Sequence, residues 1–137
     1  MKVAELEGAL LDYWAGRAKG WTCNANAQHK MLCIDVWRDA EGKICGPIPA
    51  QAFRPSTDWE QGGRIIENER ITLLDPRFCE SGLWEAFMGA FPDVAKYSVV
   101  GMVAQGAGPT PLVAAMRAYV ASKFGAEVED MQRGSAG

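Results

Sequence analysis

Apolar residues at the start of the chain recur at helical spacing. Leu6, Ala9, Leu10, Tyr13, Trp14 and Ala18 predict an amphipathic helix over 5–19, stopped by Gly20. Residues 22–30 are polar and read as a loop. The short apolar run from Met31 to Trp37 predicts a strand. Gly42, Gly46, Pro47, Pro49 and Pro55 then forbid regular structure over most of 38–56. Thr57 and Glu60 have capping-box spacing and predict a short helical turn, which Gly62-Gly63 should end; a second short helix, Arg64 to Arg70, follows. Ile71–Leu74, Leu83–Met88 and Tyr97–Ala104 read as strands. The clearest element is last. Thr110 is placed to cap a helix and Pro111 suits its first position. Leu112, Ala115, Met116, Tyr119, Val120 and Phe124 form one apolar face, and Gly125 stops the helix at 124. Residues 126–137 are small and polar and read as a flexible C-terminal tail. Helices at both ends with strands between them predict one α+β domain over 1–125. Its small, mostly antiparallel sheet of about three to four strands packs with an N-terminal and a C-terminal helix.

Composition narrows the classes of function. The chain has 137 residues, 48% hydrophobic and 23% charged, an ordinary balance for one globular domain. Fourteen Lys and Arg face seventeen Asp and Glu, and neither half of the chain is basic. The electrostatic footprint of a general nucleic-acid binder is missing, so nucleic acid is not an expected partner. The 97–116 stretch carries no charge and is long enough to cross a bilayer, but its glycines and prolines break an apolar helix; strand, loop and helix explain it better, and no membrane association is expected. The opening Met1-Lys2-Val3-Ala4-Glu5 does not begin a signal peptide, because charge interrupts it. Cys23, Cys33, Cys45 and Cys79 form no Cys-x-x-Cys pair, and His29 is the single histidine. The cysteines read as reduced thiols, and neither a metal site nor a cofactor is expected.

Two segments carry candidate chemistry. Ser56, Thr57, Asp58, Trp59, Gln61, Gly62 and Gly63 place hydroxyls, a carboxylate, an indole and bare backbone amides close together, a set able to bind a peptide or a small polar ligand. The competing reading is structural: a cap at Ser56 or Thr57, a core anchor at Trp59 and glycines for backbone geometry. Gly106, Gly108 and Thr110 lead into a helix and form a weaker candidate anion site, with no Walker lysine and no third glycine. Arg117 lies too far along that helix to assist. No catalytic residue is assigned. A triad would have to use His29, no nucleophile elbow accompanies it, and Asp58, Glu60, Glu67 and Glu69 have the density of a solvated acidic face. Of five tryptophans, Trp14 and Trp84 fit core-facing patterns, whereas Trp37 and Trp59 flank polar segments.

The run Pro55-Ser56-Thr57-Asp58-Trp59-Glu60-Gln61-Gly62-Gly63-Arg64-Ile65-Ile66-Glu67 and the run from Gly108-Pro109-Thr110-Pro111 through Ser122-Lys123-Phe124-Gly125 resemble, in order and distance, two motifs of the bacteriophage NinX-like family. Together they cover about a quarter of the chain. Arg64 departs from the family's usual proline. The resemblance implies a phage or prophage accessory protein in the host bacterial cytoplasm and carries over no activity. With no catalytic constellation, the favoured function is a non-enzymatic protein-binding module. Its partner would be a host or phage protein or a second copy, met through the Ser56–Gly63 block. The alternative is a small enzyme or sensor that holds a polar or phosphorylated small molecule through the same block.

Overall fold

The structure, a computed structural model, describes residues 1–23, 36–89, 91–93, 98–100 and 103–129, with 91–93 and 98–100 described as backbone. His29, Cys33, most of the 31–37 strand and residues 97, 101 and 102 of the 97–104 strand lie outside the described residues, as does 130–137 of the expected tail; the rest of 97–104 divides between two separate strands, Ser98–Val100 and one that begins at Ala104.

The architecture is α+β. Among the described residues three α-helices, α1 (Gly8–Ala18), α2 (Trp59–Glu69) and α3 (Pro111–Phe124), pack with small antiparallel sheets. The strands are β1 (Trp37–Arg38), β2 (Ile44–Cys45), β3 (Thr72–Leu74), β4 (Trp84–Met88), β5 (Phe91–Asp93), β6 (Ser98–Val100) and β7 (Ala104–Gly108). β4 is central in the three-stranded sheet β3-β4-β7; β1-β2 and β5-β6 are separate hairpins.

α3 is the hub. It packs on β7 and β4 and touches α1 and α2. Its N-terminus is built as its sequence implies: Thr110 Oγ1 accepts the Val113 amide at 3.1 Å, with Pro111 at the first position. Leu112, Ala115, Met116, Tyr119 and Val120 are buried, and so are Ala114 and Ala118 on the side facing the sheet; Phe124 is partly exposed. Close packing there depends on β7. In register with Ala86, Gly106 offers no side chain, and a methyl on it would overlap the Ala114 carbonyl and the Ala118 amide. A methyl on Gly108 would meet Val113 Cγ1 at 2.7 Å. Gly106 to Gly108 therefore end a strand and do not form the expected loop. Glycine runs look like turns, but here the missing side chains admit a helix.

Two further expectations are corrected. The glycines do not interrupt α2, which runs unbroken from Trp59 to Glu69. Helix 5–19 divides into a 3-10 turn, Val3–Glu5, and α1, on which Ala9 is exposed and Leu11, Asp12 and Gly16 are buried. Gly16 makes room for Trp37, whose Cζ2 would lie 2.7 Å from a methyl there. Trp37 is 1% exposed, donates from Nε1 to the Ala50 carbonyl at 3.1 Å and sits with Tyr13, Trp21 and Phe53 in an aromatic cluster.

The N-terminal residues pair with Ala126–Val128. Val3 donates to the Ala126 carbonyl and Val128 to the Met1 carbonyl, both at 2.9 Å, and the Val128 side chain is buried. Of the segment expected to form a tail, Ala126–Val128 is thus fixed against the N-terminus. Cys23 is disulfide-bonded, which corrects the reading of four reduced thiols; Cys45 and Cys79 are free. Among the described residues no helix is long and apolar enough to cross a membrane, and no three His, Cys, Asp or Glu side chains cluster to hold a metal.

Candidate functional site

The Ser56–Gly63 block forms a turn and the first helical turn of α2. Arg54 to Asp58 closes on itself, the Thr57 and Asp58 amides both donating to the Arg54 carbonyl, at 3.1 and 2.8 Å. Asp58, rather than Ser56 or Thr57, caps α2: its carboxylate accepts the Glu60 amide at 2.9 Å. A carboxylate serves better than a hydroxyl at the positive end of the helix dipole. Gln61 reaches back, accepting from the Arg54 amide and donating to the Ala52 carbonyl. Gly62 is buried where α2 crosses the preceding chain and α3; a methyl there would overlap the Pro55 carbonyl oxygen and come within 2.6 Å of Leu112 Cδ2. Ser56 is buried as well.

What remains faces solvent. Trp59 is 56% exposed, so it is no core anchor. Thr57 and Glu60 are exposed beside it, and Gly63 is half-buried, one turn along under the Trp59 ring edge. Arg64 pairs with Glu60 at 3.3 Å on the same surface. The structure thus brings the predicted residues together and divides them: Ser56, Asp58, Gln61 and Gly62 hold the turn, while Thr57 and Trp59 are displayed.

The weaker candidate, Gly106, Gly108 and Thr110, is built into the junction of β7 and α3. The two glycines lie against α3, and Thr110 Oγ1 caps it. Arg117 is tied into the fold, donating to the Leu6 carbonyl at 2.9 Å and the Ala107 carbonyl at 2.7 Å; burial lowers its pKa from the ordinary arginine value.

The sequence reading missed a cavity behind the block. It has a volume of about 230 Å³ and is lined by Asp12 and Tyr13 of α1, by Trp37 and Phe53, and by Arg54 and Thr57 of the turn. Asp12 is 6% exposed. One of its oxygens accepts the Ser56 amide at 2.8 Å. Burial pushes the Asp12 pKa up, opposed chiefly by its hydrogen bonding to Ser56 and less by the Arg54 charge. Ser56 Oγ is buried without a hydrogen-bond partner among the described residues. Arg54 is exposed and its guanidinium makes no ion pair among the described residues. The available signal was small: an acidic residue flanked by Leu11, Tyr13 and Trp14 on a mostly apolar helix.

Compared with known protein families, residues 2–123 match the profile described as Bacteriophage P22, NinX. No curated protein matches the chain.

Proposed function

We propose that this chain, which belongs to the bacteriophage P22 NinX family, is a non-enzymatic accessory protein that binds a protein partner in the host bacterial cytoplasm. The observation that carries this reading is Trp59. A tryptophan left 56% exposed at the start of a firmly capped helix is a large, pre-organised contact surface. Thr57 and Gly63 complete the contact, Glu60 and Arg64 form its polar rim, and Ser56, Asp58, Gln61 and Gly62 keep the backbone beneath it fixed. The partner is a host or phage protein or a second copy of the chain.

The test pairs binding with stability. Trp59→Ala is expected to leave the thermal midpoint within about 2 °C of the parent, because little buried area is lost. It should also weaken capture of the partner from host lysate, or self-association seen by sedimentation, by ~30-fold, the effect of a ~2 kcal/mol hot spot. A parent that stays monomeric at high concentration and captures nothing, or a capture indifferent to Trp59, would overturn the reading.

A further inference from the structure

The cavity between α1 and the Ala50–Thr57 segment is chemically distinct from the surface around Trp59. Its polar equipment is lopsided. At its wall stands the Asp12 carboxylate, 6% exposed, with one oxygen held by the Ser56 amide at 2.8 Å. Asp12 borders the cavity, so a charged donor placed in it can reach the carboxylate. Tyr13, Trp37 and Phe53 supply an aromatic lining, with the Trp37 ring centroid 6.0 Å from that of Tyr13 and 5.9 Å from that of Phe53. Arg54 brings the other formal charge, on the exposed turn.

Charge selects among ligands. A simple amine would satisfy Asp12 but meet the like charge of Arg54, and a simple anion would meet the reverse. A ligand that carries both charges satisfies both residues. Its ammonium is also favoured by nearby ring faces. At about 230 Å³ the cavity is below the ~300–1,000 Å³ of sites for drug-sized ligands, so the ligand is small. We infer that the cavity binds a free α-amino acid with an apolar side chain: the ammonium donates to Asp12, the side chain lies against Tyr13, Trp37 and Phe53, and the carboxylate meets Arg54. The block identified from sequence supports this site indirectly, since the Ser56 amide fixes the Asp12 carboxylate.

Calorimetric titration of the full chain with leucine, phenylalanine, glycine, N-acetyl-leucine and leucinamide tests each part. Leucine or phenylalanine should bind and raise the thermal midpoint. Glycine, lacking the apolar side chain, and N-acetyl-leucine, lacking the ammonium, should each bind at least tenfold more weakly. Asp12→Asn should abolish binding while keeping the fold, since asparagine still offers an oxygen to the Ser56 amide. Arg54→Gln, at an exposed site, provides a second variant: it should weaken leucine about tenfold, the loss of one charge-assisted contact, and strengthen leucinamide, whose ammonium no longer meets a like charge. Trp59→Ala should bind leucine like the parent, so the outcome is separate from that of partner capture. The inference is overturned if no amino acid binds up to ~10 mM, ten times a ~1 mM Kd. Equal binding of leucine and N-acetyl-leucine, or unchanged leucine binding by Arg54→Gln, would overturn it too.

Discussion

Asp12 is a residue the fold tolerates at a cost. It occupies the buried face of α1 at the edge of the cavity, and the Ser56 amide holds one of its oxygens. The folded protein therefore holds its proton more tightly than the unfolded chain, whose Asp12 titrates near 3.8. The sign follows by linkage: the Asp12 contribution favours the fold below the unfolded value and is lost as pH rises through the elevated folded value. Asp12→Asn removes the charge and keeps an acceptor for Ser56. Its thermal midpoint should exceed the parent's at about pH 7, and the difference should shrink towards ~pH 4 as the parent's carboxyl becomes neutral. Thermal scans across that range decide it; a variant less stable than the parent at neutral pH would show that the charged carboxylate supports the fold. Neither of the free thiols offers an obvious nucleophile, since burial raises the pKa of Cys45 and of Cys79, aided respectively by Asp39 and by Glu85.

Gly62 and Gly63 are adjacent in sequence, lie in the same helix and do opposite things. Both carry the propensity penalty of about 1 kcal/mol relative to alanine. Gly62 repays it, because its bare Cα lets α2 lie against the Pro55 carbonyl and Leu112. Gly63 has only the Trp59 ring edge at 3.9 Å, an ordinary contact. Gly62→Ala should therefore lose about 1–3 kcal/mol through overpacking. Gly63→Ala should gain up to ~1 kcal/mol from propensity, raising the midpoint by a few degrees. Thermal or denaturant unfolding separates them, and a shift of the same sign for both would refute the packing argument. The pair also shows what the sequence could convey. α3 was legible because its cap, first-turn proline, apolar spacing and closing glycine all point the same way. α2 was not, because a contact with Pro55 and Leu112, distant along the chain or bent back onto the helix, outweighs local propensity. The candidate site divided along the same line. The residues of the Ser56–Gly63 block could be named from their types, but which of them face water depends on where α1 and α3 lie. The aromatic cavity joins residues from Asp12 to Thr57, and no local pattern announces that meeting.

At the scale of the whole molecule the pairing of Met1–Val3 with Ala126–Val128 closes the fold. Met1 donates through its ammonium to the Val128 carbonyl at 2.8 Å, Val128 donates back to Met1, and Val3 donates to Ala126. Arg117 extends the same seam by holding the Leu6 and Ala107 carbonyls from α3. One side chain thus ties the N-terminal segment and β7 to the central helix. The pairing places buried Val3 and Val128 in the same hydrophobic core as Leu11 and Tyr119. Deleting residues 126–137 would expose that seam and remove the Val128 side chain, whose burial contributes about 1.5–3 kcal/mol. With the lost backbone pairing, the truncated chain should unfold roughly 5–15 °C below the parent, at a few degrees per kcal/mol for a domain of this size. Val128→Ala in the full chain isolates the side chain and should lose about 1–2 kcal/mol, the part of that burial carried by the two methyl groups removed. If truncation leaves the midpoint unchanged, the terminal pairing contributes nothing to stability. If truncation and Val128→Ala cost the same, the hydrogen bonds add little and the apolar contact alone closes the molecule.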